Sequence, residues 1–92
     1  MNDNEPRVAL IVGKVRRRKS EPQSAVHVML VSPDDDSAVR TALDALAREG
    51  YSEAELDQIG ELAGAPDEEP HASAYQGALE GAVSIVTFAI TI

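Results

Sequence analysis

Charged and apolar positions separate into blocks along this chain. The clearest block is the last, Ala82 to Ile92 (Ala-Val-Ser-Ile-Val-Thr-Phe-Ala-Ile-Thr-Ile), which has no charge and seven β-branched residues. Branching at Cβ restricts a side chain in a helix and suits a pleated surface, so this stretch predicts a strand. Alternation puts Ser84, Val86, Phe88, Ile90 and Ile92 on one face and Val83, Ile85, Thr87, Ala89 and Thr91 on the other. With both faces largely apolar, the strand is expected inside a sheet, with its Phe88 face towards the core.

Two earlier runs have the same character. Arg7 to Val15 and Ala25 to Ser32 are apolar and β-branched, and the polar stretch Arg16 to Ser24 joins them. They predict an antiparallel hairpin whose connection, too long for a tight turn and interrupted by Pro22, projects into water. The period then changes. Ser32 as cap, Pro33 at the first helical position and Asp34, Asp35 and Asp36 at the positive end of the helix dipole predict a helix from Pro33 to Glu49. Val39, Ala42, Leu43 and Leu46 share one face of it, and Gly50 supplies the stop.

Tyr51 to Gly64 fits two templates. Ser52 with Glu55 makes a capping box for a helix, whereas the alternating acids Glu53, Glu55 and Asp57 suit the exposed side of an edge strand. The sequence leaves strand and helix equally open here. After the acidic, proline-bounded Ala65 to Pro70, residues His71 to Glu80 carry Ala72, Tyr75, Ala78 and Leu79 at helical spacing, with Gly81 as the stop. Gly77 inside that helix costs about 1 kcal/mol relative to alanine, so the helix needs a sheet beneath it.

Strands at both ends with helices between them predict one α+β domain over residues 1–92, with the polar residues 1–6 disordered. Its expected form is a two-layer sandwich: an open sheet of three to four strands, built from the N-terminal hairpin and a buried C-terminal strand, with two to three helices on one face. Ninety-two residues suffice for one such core.

Composition narrows the chemistry. The chain has no cysteine, which excludes disulfides, thiolate metal sites and thiol nucleophiles and favours a cytoplasmic setting. The start lacks the basic flank and apolar run of a signal peptide, and the apolar C-terminal stretch is about half of what a membrane-spanning helix requires. Net charge is −8, unevenly spread: residues 1–24 hold six basic and three acidic side chains, residues 25–92 two and thirteen. The segments therefore carry +3 and −11.

Five of the eight cations form one run, Lys14, Arg16, Arg17, Arg18 and Lys19, the first candidate binding element. A dense positive patch on a loop suits phosphate or an acidic protein surface. No aromatic residue is interleaved to stack bases, and the acidic remainder repels a phosphate backbone, so nucleic acid ranks below a protein contact, and both stand behind the plain reading of a solvated loop that only improves solubility. The alternative pocket is Glu68, His71 and Tyr75, which helical spacing of three and four places on one face, a trio able to handle a proton or small molecule. His27, between Val26 and Val28, reads as a sheet-face residue with a hydrogen-bonded ring.

No metal is expected, because consecutive aspartates diverge and lack the spacing of a calcium loop. Gly13-Lys14 lacks the flanking residues of a phosphate-binding loop, and no cofactor is expected. The functional expectation is a small soluble, non-enzymatic protein-interaction or regulatory domain that binds a protein partner or itself as a homodimer. The alternatives are the His71/Tyr75 proton-transfer site and an acidic mimic of nucleic acid.

Overall fold

The computed structural model describes residues 7–89. The polar start expected to be disordered, and the continuation of the last strand through Ile90, Thr91 and Ile92, fall outside the described residues. Along the chain run β1 (Val8–Arg16), β2 (Ser24–Val31), α1 (Asp35–Arg48), β3 (Glu53–Glu61), α2 (His71–Leu79) and β4 (Ser84–Ala89). The strands form one sheet in the order β3-β1-β2-β4, with every neighbouring pair antiparallel. The α+β open sheet is therefore as the hydrophobic pattern predicts, and the ambiguous Tyr51–Gly64 stretch is a strand.

The hairpin occupies the middle. β1 and β2 pair from Val8 with Val31 to Val15 with Ser24, and both are apolar on both faces. Ile11, Val15, Val26, Val28 and Leu30 pack with Ala38, Ala42 and Leu46 of α1. Val8 and Met29 pack with Ala74 and Ala78 of α2. Val28 and Met29 are consecutive in a strand and point to opposite faces, so the two helices cover opposite faces of the sheet. The hydrophobic pattern predicts both helices on one face. The reason for the difference is that a strand apolar on both sides needs cover on both sides, and the hairpin supplies two such strands.

A second correction concerns β4, which is an edge strand, not an interior one, and is half-buried. The hairpin fills the two central positions. β3 then takes the free side of β1, which leaves β4 only the free side of β2, where its register runs from Ser24 opposite Ala89 to Met29 opposite Ser84. The helix start also moves. Asp34, not Ser32, is the N-cap, with extended backbone and a side chain that accepts from the Ser37 amide at 2.7 Å, while Ser32 Oγ donates to the Asp34 carbonyl. The predicted stops hold: Gly50 and Gly81 have φ of 92° and 100°.

Register against β1 explains why β3 is hard to read. Pairing shifts between Val12/Gln58 and Gly13/Leu56, leaving Asp57 as an extra residue. This bulge resets the alternation, so Leu56 and Ile59, three apart, both pack on the α1 core. Gly13 is what admits the bulge. A Cβ on it would collide with the Glu55 carbonyl oxygen and lie 2.9 Å from Leu56 Cα, and these are backbone atoms that yield only if the strand moves. We expect Gly13→Ala to destabilise by about 1–3 kcal/mol, as overpacking does, whereas Gly60→Ala, with nothing within 4 Å, changes stability little. Urea midpoints of the two variants check this, and equal midpoints would contradict the account of the bulge.

Candidate functional site

The basic run divides between strand and loop. Arg16, expected in the connection, ends β1 and faces Glu53 across the β1–β3 register. Its Nη2 and Nε both donate to Glu53 Oε1, at 2.5 and 3.1 Å, in a half-buried setting. Arg17 lies over the Tyr51 ring, 4.5 Å from its centroid, and donates to the Glu49 carbonyl at 3.2 Å. These two side chains tie the hairpin end to the turn between α1 and β3. Lys14 stands across from Glu55, at a hollow of about 220 Å³ that Gln23, Glu53 and Glu55 also line. With two carboxylates in its wall, that hollow is a poor cradle for phosphate. Arg18 and Lys19 project into water. The cationic run is thus in part a structural clasp.

The alternative pocket is also distributed. Glu68 is exposed ahead of α2, where its carbonyl accepts from the Ala72 amide. Tyr75 is half-buried against the core of Val8, Met29, Ala74 and Ala78. His71, the first residue of α2, instead meets His27 of β2: Nδ1 of His27 and Nε2 of His71 are 2.8 Å apart. Phe88 of β4 completes the cluster, its ring stacked on His71 at 5.6 Å and 14° and edge-on to His27 at 5.0 Å and 67°. Burial, and then the charge of His71, hold the His27 imidazole below its ordinary pKa.

Local chemistry positions each member. His27 lies opposite Val86 in the β2–β4 register. His71 is fixed because α2 lies close on β4: Ser84 Oγ donates to the Ala74 carbonyl at 2.8 Å, and a Cβ on Gly77 would come within 2.9 Å of that hydroxyl oxygen. The glycine that weakens the helix in isolation therefore lets it approach the strand. Glu69 anchors the first turn, accepting from the Ser73 amide and hydroxyl at 2.9 and 2.8 Å, and these bonds lower its pKa. Sequence reasoning missed the histidine pair because 44 residues separate its members. Its one local trace is that the chain's two histidines fall at the two places, mid-strand and helix start, that pack against each other.

Among the described residues no group of three or more His, Cys, Asp or Glu side chains could share a metal ion, and two imidazoles alone are an incomplete ligand set. No helix among them is long and apolar enough to cross a membrane. Comparison with protein-family models, curated proteins and solved structures finds no match to this chain.

The clasp is open to test by substitution. Arg16→Ala or Glu53→Ala should each lower stability, and the double-mutant cycle should give a coupling of about 0.5–1 kcal/mol, the upper part of the range for exposed pairs because this one is half-covered. Arg18→Ser should stay within about 0.5 kcal/mol of wild type. Chemical denaturation of the five proteins (wild type, the two single variants, the double variant and Arg18→Ser) measures both, and equal losses at Arg16 and Arg18 would remove the distinction between clasp and exposed loop.

Proposed function

We propose that this chain is a non-enzymatic interaction domain that self-associates by strand addition, the β4 edge of one copy pairing with the β4 edge of a second. The observation that carries this reading is the contrast between the two edges of the sheet. β3 has features that block edge pairing: a bulge, a glycine, and the acids Glu53, Glu55, Asp57 and Glu61, of which Glu53 and Glu61 are paired with Arg16 and Arg7 while Glu55 and Asp57 are exposed. Bulged and bearing exposed acids, two such edges pair poorly. β4, from Ser84 to Ala89 (Ser-Ile-Val-Thr-Phe-Ala), has no charge and no proline, and β-branched residues at Ile85, Val86 and Thr87. An uncharged strand meets its own copy without electrostatic penalty, and main-chain hydrogen bonds then supply much of the affinity.

Antiparallel pairing of identical strands closes about a two-fold axis, so the association stops at a dimer with an eight-stranded sheet. The face beside β4 favours the same outcome. α1 packs over β1, β2 and β3, leaving Val83 and Ile85 at the margin of its core and half-buried. Their counterparts in a second copy would continue that apolar strip. The partnered state of Arg16 and Arg17 argues for the edge over the basic run as the contact surface.

Light scattering coupled to size exclusion tests the reading. Wild type should be dimeric at high concentration and only weakly affected by salt, because the contact is uncharged. Thr87→Lys, which places a charge on the exposed side of β4, should give a folded monomer with an unchanged far-ultraviolet circular dichroism spectrum. A wild type that stays monomeric throughout, or a dimer that dissociates with salt as the Debye length shortens below about 8 Å and ignores Thr87→Lys, would overturn it and return the contact to Lys14, Arg18 and Lys19.

A further inference from the structure

The His27–His71 pair does more than fill space. One imidazole nitrogen must donate and the other accept, so the 2.8 Å contact persists with both rings neutral or with one proton added, and a second proton destroys it. Two facing N–H groups and two cations with ring centroids 5.1 Å apart then repel where water is partly excluded. The joint they occupy is where three elements meet: β2 through His27, the start of α2 through His71, and β4 through Phe88. We infer that this pair is a proton-operated latch, closed at neutral pH and opened by double protonation, which frees the first turn of α2 from the sheet and loosens the outer strand.

Among the described residues no carboxylate is bonded to the pair. From β2 and β4 the neighbours of His27 are apolar or aromatic, Val86 and Phe88. From β1 they are Val12, directly across, and Lys14, one step along the same face, which adds positive charge. From the approach to α2 come Glu68, exposed, and Glu69, whose oxygens are occupied by Ser73; Tyr75 faces the second core. Burial and His71 both disfavour the charged form of His27. The sign of the effect follows. A histidine whose folded pKa lies below its unfolded value binds protons more readily when unfolded, so its contribution is fully present above about pH 6.5 and is lost as pH falls through that value towards the folded pKa. Carboxylates such as Glu69, lowered by their hydrogen bonds, act only further down, from about pH 4. The two windows separate. The latch is internal to one chain and operates whether or not β4 pairs with a second copy.

The test is imidazole titration by NMR together with thermal melting at pH 8 and pH 5, on wild type, His71→Gln and His27→Asn. Glutamine places an amide nitrogen where Nε2 stands and carries no charge, and asparagine does the same for Nδ1. In wild type the His27 titration should lie below its ordinary value, with amide shifts in Ala72 to Tyr75 and in β4 moving as the pair opens. In His71→Gln the His27 titration should rise towards its ordinary value, and the fall in Tm between pH 8 and pH 5 should be smaller than in wild type. His27→Asn should reduce that fall in the same way, which keeps the test intact if either variant fails to fold. A His27 titration at its ordinary value that is unchanged in His71→Gln, or an identical loss of Tm in wild type and both variants, would overturn the latch.

Discussion

The structure depends on one constraint: a hairpin whose two strands are apolar on both faces cannot be satisfied by a single layer of helix. Val26, Val28 and Leu30 demand cover on one side of β2 and Met29 on the other. α1 answers the first with Ala38, Ala42 and Leu46, and α2 answers the second with Ala74 and Ala78. Burial of large branched side chains is worth roughly 1.5–3 kcal/mol each, so leaving either face open would cost more than a small domain has in reserve. Once the hairpin is central, the remaining strands can only be edges.

The edges are then managed in opposite ways. β3 is held by the bulge at Asp57 and by Gly13 beneath it, and it carries the exposed acids Glu55 and Asp57. β4 is held from the inside by the α2 start and the His27, His71 and Phe88 cluster, and its described residues, Ser84–Ala89, carry no charge. The Arg16–Glu53 and Arg17–Tyr51 contacts secure the hairpin end of the same β3 side. Charge in this chain is therefore spent on the β3 edge and aromatic stacking on the β4 edge. Small residues at the α2–β4 contact, Ala74, Gly77 and Ser84, make the second arrangement close enough for the histidine rings to meet.

Much of the fold is legible from residues alone. The strand character of β1, β2 and β4, the α1 stripe, the acidic first turn and the glycine stops all follow from local chemistry, because branching, period and positive φ act within a few residues. β3 is illegible for a definite reason: the bulge puts Leu56 and Ile59 on one face at a spacing of three, which imitates helix. The cap is Asp34 and not Ser32 because the Asp34 carboxylate accepts from the Ser37 amide, while the Ser32 hydroxyl is turned to donate to the Asp34 carbonyl.

What the sequence determines by itself is thus the set of elements, the opposed charge of its two segments and the presence of two histidines and one cationic run. Which strand lies at the edge, which faces the helices cover, which arginines are bound and which cations are exposed, and that His27 meets His71, are decided only by tertiary structure. These are pairings across 32 residues for Arg17 with Glu49, 44 for the histidines and 54 for Arg7 with Glu61, and a local pattern carries no information about the distant partner. The physical reason is competition for sheet positions. The hairpin, joined by a short connection, closes at small entropic cost and takes the centre, and every later element must bind to what it leaves uncovered.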